Sequence, residues 1–556
     1  MVTVKASKST LLILTACLIS LTVLILDSLN LPTFIDEISF LLNVKYFAQY
    51  GTFIPFYTKY PTLYSYIIAV PVYFVFLVFY FVKGLPLNGL GDTAFLRFVF
   101  YENLIMWNWV SRCITMLFSV ATLTMVLKRA IKKYGPMAFF TTAAILVLDP
   151  FGVYMDLSRF GLPDIPMTFF VTAAMFLCLS YLDGKNLKYL YWASFVSGLA
   201  ASTKFNAVMM IFPLFVAPLI IGKEKRRLPL CYVRIIFLVI LGFLAGSPAF
   251  LFSFRTLLDG FIFEAKILFE EGHLGAHGII WIWALDLLWE MNPVVLFLMI
   301  SSIFYSALKR TKEDLLFLSL FVPSFLILGA LEKKSIWYFV FLYPLAALYA
   351  GRFIEDIFRM MKLRYLRITV VCFVFIFIFA VPGWDLYGRL SKNTRVDNRI
   401  ISEKWIYNNI PAGASVAIDW AYIPELYSEK QIDERVKKVV DSGSSFTGEI
   451  ESRYRKKPTY KTIRLRHDLN YDLDAFLRAG TEYMLTSSYC YDRFFPSKET
   501  RIPGKHDASY EMFIKRRDFY SAVFDKRTPY RLIKVFSSGS GPEVRIYKRV
   551  RSVGHD

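Results

Sequence analysis

The chain has 556 residues, of which 56% are hydrophobic, with 53 Phe and 34 Tyr, and its mean hydropathy is +0.45. One soluble core cannot enclose that apolar load, so lipid is the natural solvent for most of the chain. The net charge of +20 raises nucleic acid as a partner, but many cations stand in short clusters between apolar runs (Lys128, Arg129, Lys132 and Lys133; Lys223, Lys225, Arg226 and Arg227; Lys309, Arg310 and Lys312). Cytoplasmic loops obeying the positive-inside rule have that pattern, so no nucleic-acid partner is expected.

Lys5 and Lys8 precede an apolar run to Leu26 with no small-residue cleavage site, which reads as an uncleaved first helix over 10–30 with a cytoplasmic N-terminus. It delivers the segment from Leu31 to the outside. The next basic cluster, 128–133, directly follows an apolar run over 104–127. An even number of crossings must separate that cluster from the N-terminus, so the apolar stretch 62–82 is expected along the interface rather than across the membrane. Further spans are expected near 136–149, 164–182, 189–203, 205–221, 232–252, 293–308, 314–330, 336–350 and 367–382, for a total of about 11 crossings. An odd number places the C-terminal region outside, together with loops 31–103, 150–163 and 253–292.

After Val381 the texture turns polar. Residues 1–382 are therefore expected to form a transmembrane domain and 383–556 a soluble α/β domain outside the membrane. A helix around 400–409 stopped by Pro411 and Gly413 leads to a strand over 415–419. A second helix, 472–479, ends at Gly480 before a strand at 483–487, and strands at 530–536 and 544–548 flank a Gly-Ser-Pro turn. No glycine-rich nucleotide fingerprint occurs there, which speaks against a soluble nucleotide donor. Five of six cysteines lie in apolar runs, so no disulfide framework is implied.

Four polar constellations fall on the expected outer face. Asp36 and Glu37 stand in an otherwise apolar stretch just after the first span, where carboxylates are costly unless used or paired. They fit a general base that takes a proton from an acceptor hydroxyl, or an acidic pair on the dipole of the following helix. Asp156, Arg159 and Asp164 lie in a loop that turns straight back into the bilayer; the arginine suits a phosphate, or a mutual ion pair closes the loop. Lys204, Lys333 and Lys334 run against the charge rule at outer span ends, where they meet a bound anion or snorkel. Glu270, Glu271, His273 and His277 have loose zinc-ligand spacing, but two intervening glycines disfavour the helix that would join the imidazoles.

Taken in order, the acidic pair, Tyr60-Pro61-Thr62-Leu63-Tyr64, Arg112, the Arg159–Asp164 loop, Gly198-Leu199-Ala200 before Thr203-Lys204, and Lys334 with Tyr338 and Tyr343-Pro344 resemble the GT-C glycosyltransferase superfamily. Within it, the likeness is to the dolichyl-phosphate-mannose-protein mannosyltransferase and lipid A aminoarabinose transferase family. The resemblance implies a polytopic α-helical membrane protein of GT-C type that transfers a sugar, by inverting direct displacement, from a polyprenyl-phosphate donor to a protein, lipid or glycan acceptor at the outer face of the cell membrane. Asp36 is then the catalytic base and Glu37 its neighbour in the acceptor pocket. Arg112, Arg159, Lys204, Lys333 and Lys334 would hold the lipid phosphate, Asp164 would orient Arg159 or touch the sugar, and Tyr60, Tyr338 and His273 would line the pocket. No cofactor is expected, and the resemblance leaves a divalent metal open. One departure is Lys59-Tyr60-Pro61 in place of the family's usual Lys-Pro-Pro or His-Glu-Pro style segment. The alternative from another class is a transporter, which predicts internal repeats and ionisable groups at mid-membrane; here no repeat is visible and charges gather at span ends.

Overall fold

The computed structural model describes residues 8–28, 35–85, 104–148, 153–222, 228–269 except 267, 293–331, 335–363, 380–495 except 394, 425, 442–445 and 457, and 510–550, with scattered positions in 88–100 and 365–376. Six described helices are long and apolar enough to cross a bilayer: Lys8–Leu26, Leu63–Val82, Met106–Tyr134, Asp164–Gly184, Leu228–Gly246 and Trp337–Met360. Shorter apolar helices occupy Pro136–Leu148, Phe205–Ile221 and Val294–Lys309. Among the described residues, length and composition thus give six candidates against the eleven crossings expected. The stretch expected flat on the interface forms one continuous 20-residue helix, and these criteria do not set it apart from the crossing helices.

Helix α1 (Lys8–Ser28) leads to the short α2 (Ile35–Tyr50), then α3 (Leu63–Val82) and the long α4 (Leu104–Arg129). A π-turn over Ala130–Tyr134 joins α4 to α5 (Pro136–Leu148). After the single turn Val153–Ser158, α6 (Asp164–Gly184) and α7 (Leu187–Ala201) pack side by side, and α8 (Ile211–Ile221) and α9 (Leu228–Gly246) follow. Helices α7 and α9 meet backbone to backbone. A Cβ on Gly198 would lie 2.1 Å from the Val239 carbonyl oxygen, and one on Gly242 would lie 2.1 Å from that of Phe195. Helices in lipid associate through such close van der Waals contact, because burial from lipid supplies no hydrophobic drive.

Helix α10 (Phe254–Lys266) precedes α11 (Pro293–Lys309), α12 (Lys312–Gly329) and α13 (Tyr343–Met360). Thr311 and Asp314 close a capping box at the start of α12. Members of two basic clusters, 128–133 and 309–312, are held here. Glu313 accepts from Arg129 at 3.0 Å, from Lys133 and from Tyr134, while Arg352 bonds Asp314 at 2.6 Å and Lys309 bonds Asp356 at 2.8 Å. At 1.5 Å per residue, this end of α4 lies about 26 Å along the axis from Arg112.

The C-terminal region follows α14 (Val381–Asn393) with α15 (Asn398–Asn409), capped by the Asp397 side chain. Strands β1 (Ser415–Ile418), β2 (Lys461–Arg464), β3 (Tyr483–Ser487), β4 (Tyr530–Phe536) and β5 (Val544–Arg549) form one sheet in the order β2-β1-β3-β5-β4. The first three strands are parallel and the β4–β5 hairpin antiparallel. Side chains alternate across the sheet as a strand's period of two requires. Val416, Ile418, Leu485 and Ile546 pack with Ile406 of α15, while Ala417, Met484 and Tyr547 face Phe476 and Tyr520. The region meets the membrane helices where Phe446 stacks on Phe95 at 3.9 Å and Ile450 is buried with Tyr80 and Val99.

Candidate functional site

The site starts at the first turn of α2. Asp36 and Glu37 are adjacent, so their side chains leave the helix about 100° apart and enter different surroundings. Glu37 is fully buried and accepts two parallel bonds from Arg112 on α4, Nε to Oε1 and Nη2 to Oε2, both at 2.8 Å. It also accepts from the Gly161 backbone N–H at 2.6 Å. One carboxylate thereby ties α2, α4 and the 159–163 loop together. Glycine at 161 lets the loop approach α4 closely, because a Cβ there would sit 2.2 Å from Ser111 Oγ.

Asp36 is half-buried. Burial pushes the Tyr60 phenol well above its ordinary value, and the carboxylates of Asp36, Glu264 and Asp164 push it further. Tyr57 is raised in the same way, by burial and then by Asp36 and Glu264. Three carboxylates from α2, α6 and α10 therefore converge on the loop between α2 and α3. Helix α10 reaches it by close contact, since a Cβ on Gly260 would lie 2.4 Å from the Thr58 carbonyl oxygen.

Lys204 supplies the opposite charge. It follows α7 in extended backbone, and its Nζ donates to Asp164 Oδ1 at 2.6 Å, with both groups buried. The same ammonium lies 5.9 Å from the ring centre of Tyr60 and 5.8 Å from that of Tyr338, within cation–π range of both. Asp164 opens α6, where a carboxylate also complements the helix dipole. It pairs with Lys204, whereas Arg159 turns to Asp156, donating from Nη2 to Oδ1 at 2.5 Å with Phe160 beneath it at 5.1 Å.

Asp36, Tyr60, Asp164, Lys204 and Tyr338 are thus brought together. Glu37 and Arg112 form a buried pair behind them, and Arg159 sits two residues from the Gly161 amide. His273, Lys333 and Lys334, with Glu270, Glu271 and His277, lie outside the described residues. Among the described residues, no group of three or more His, Cys, Asp or Glu side chains has metal-holding geometry. Sequence reasoning missed Tyr57 and Glu264. The signal for Glu264 was a helix, Phe254–Lys266, with one strongly polar face.

A third contribution comes from the C-terminal sheet. Tyr422, just beyond β1, is buried, and its phenol is raised first by that burial and then by Tyr489; Arg399 opposes the shift, and Glu37 and Asp36 add to it. The loop after β1 is therefore within electrostatic reach of the acidic pair.

Residues 104–251 match the profile of the dolichyl-phosphate-mannose-protein mannosyltransferase family. The crystal structure of ArnT from Cupriavidus metallidurans in the apo state superposes with a TM-score of 0.50 at 10% identity, covering 97% of this chain and 98% of that one. The same protein bound to undecaprenyl phosphate gives 0.49 at 12% identity, over 99% and 100% of the two chains. The archaeal oligosaccharyltransferase AglB from Archaeoglobus fulgidus, solved with an inhibitory peptide and a dolichol-phosphate, gives 0.47 at 10% identity, over 96% of this chain and 80% of its own. No curated protein matches in sequence. The resemblance to the GT-C superfamily is borne out at the level of the fold.

Proposed function

We propose that this chain is an integral-membrane glycosyltransferase that moves a sugar from a polyprenyl-phosphate donor to an acceptor hydroxyl, with inversion, on the face of the membrane where the C-terminal domain sits. The observation that carries this reading is a buried ammonium, Lys204, bonded to Asp164 and flanked by the rings of Tyr60 and Tyr338, with Asp36 within electrostatic reach of the same Tyr60. The match of 104–251 to a family named for a dolichyl-phosphate donor supports the donor class.

In the reaction, Asp36 takes the proton from the acceptor hydroxyl as its oxygen attacks the anomeric carbon. The bond from that carbon to the phosphate oxygen breaks on the opposite side, and the polyprenyl phosphate leaves with the electron pair. Lys204 and Arg159 meet the charge that grows on the phosphate, joined by Lys333 and Lys334. Asp164 holds Lys204 in place, and Tyr60 and Tyr338 flank its ammonium. Glu37 and Arg112 are committed to each other, so their part is to hold α2 at the depth that presents Asp36. The site lies on the outer side in this reading, because the basic cluster at 128–133 occupies the far end of α4.

The test is transfer from radiolabelled polyprenyl-phosphate sugars by the full-length protein in proteoliposomes, using membranes of a deletion strain as acceptor. Asp36→Asn removes the proton acceptor and lowers transfer by about 10² to 10⁴ while donor binding persists. Wild-type transfer by that variant removes Asp36 from the mechanism.

A further inference from the structure

The order β2-β1-β3 is that of an open parallel sheet whose chain leaves β1 to one side and returns for β3 on the other. Ligands of such sheets bind beyond the carboxyl ends of the strands, where the order reverses. In this chain that point carries Asp419 to Tyr422 after β1 and Ser487 to Cys490 after β3. The two segments are locked to each other. Asp419 is buried and accepts from Tyr471, Tyr520 and Thr486 hydroxyls, each at 2.7 Å. The Ala421 carbonyl accepts from Ser487 Oγ at 2.8 Å and from Cys490 Sγ at 3.3 Å.

On this frame Tyr422 is held at φ +53°, a left-handed conformation that a bulky side chain rarely adopts and that clusters at functional sites. Its ring lies 4.3 Å from that of Tyr489 and 5.3 Å from the Arg399 guanidinium carbon. Trp420 continues the aromatic row, 5.8 Å from Tyr489, with Arg466 over it at 4.8 Å. Tyr422 lies within electrostatic reach of Asp36 and Glu37, and the sheet region is joined to the membrane helices where Phe446 stacks on Phe95.

We propose that Tyr422 and Tyr489 form the acceptor-side wall of the site, gripping a saccharide acceptor so that its hydroxyl meets Asp36; this rests on the glycosyltransferase reading above. Flat aromatic faces with polar rims match the C–H face and hydroxyl edge of a sugar ring. A strained, pre-set tyrosine keeps the wall in shape before the acceptor arrives, which lowers the ordering cost of binding. The sheet so supplies acceptor selection, and the membrane helices supply the donor site.

The test separates acceptor from donor. With the full-length protein in proteoliposomes, a radiolabelled polyprenyl-phosphate sugar is titrated against deletion-strain membranes. Glycine suits φ +53°, so Tyr422→Gly deletes the ring without a backbone penalty, and Tyr489→Ala deletes its partner. Each is expected to raise the half-saturating amount of acceptor membranes by about tenfold or more, with donor KM kept within about twofold. The labelled product is expected to be protease-resistant and glycosidase-sensitive. Unchanged acceptor saturation in both ring-deleted variants overturns the wall, and a protease-sensitive product overturns the saccharide acceptor. A wild-type protein that transfers no sugar overturns the glycosyltransferase reading itself, and this inference with it.

Discussion

Replacing Arg112 by methionine strips a buried carboxylate of its bidentate partner. The Glu37 side chain is fully buried and that of Arg112 is 3% exposed, so water cannot take over either charge. Breaking a buried pair from one side costs about 3–5 kcal/mol, because the remaining ion stays desolvated. Removing both charges is far milder. In Glu37→Gln with Arg112→Met, the glutamine oxygen still accepts the Gly161 N–H, which now approaches at 2.6 Å, and no ion remains. The coupling energy in the double-mutant cycle is therefore expected to be about 3 kcal/mol, at the upper end for residues in contact. Reversible unfolding by SDS titration in bicelles measures it, and donor KM in the same preparations shows whether Arg112 touches phosphate. A double variant as unstable as Arg112→Met would refute the pair as the source of stability. One that regains stability but keeps a high donor KM would return Arg112 to the phosphate site.

Lys204→Ala is expected to raise donor KM at least about tenfold, and Lys204→Arg to rescue it poorly, because a planar guanidinium does not replace a point charge between two rings; an unchanged KM in the alanine variant would reject the phosphate role. Gly161→Ala drives a methyl group into Ser111 and is expected to cost about 1–3 kcal/mol and much of the activity, with Ser111→Gly recovering part of both in thermal-shift and transfer assays. Asp419→Ala orphans three buried hydroxyls, each formerly bonded to a charged group at about 1.5–3 kcal/mol, so limited proteolysis of the full-length protein should open the sheet region first.

The sequence shows the C-terminal elements best where punctuation is strong. The stop at Pro411 and Gly413 before β1, Gly480 before β3 and the turn before β5 all stand close to their expected places. The edge strand β2 escapes because Lys461-Thr462-Ile463-Arg464 has no buried alternation and pairs only on one side. The helices Glu429–Asp441 and Thr447–Arg455 escape because their charged composition resembles a loop. In the site, Asp36 and Lys204 are visible as charges where charge is costly. Their partners are not, since the Asp164–Lys204 bond joins residues 40 apart and Arg112–Glu37 joins residues 75 apart. The acidic pair looks like one unit in sequence, yet the helical turn between neighbours sends the two carboxylates to separate tasks.

The backbone contact of α7 with α9 bears on how a long isoprenoid could arrive. Where Gly198 and Gly242 abut main chain, not even a methyl group finds room, so that seam is sealed against a hydrocarbon chain sliding in from the side. On the function proposed above, a substrate tail threads elsewhere around the bundle, and widening the seam with larger residues would split the two helices rather than open a doorway.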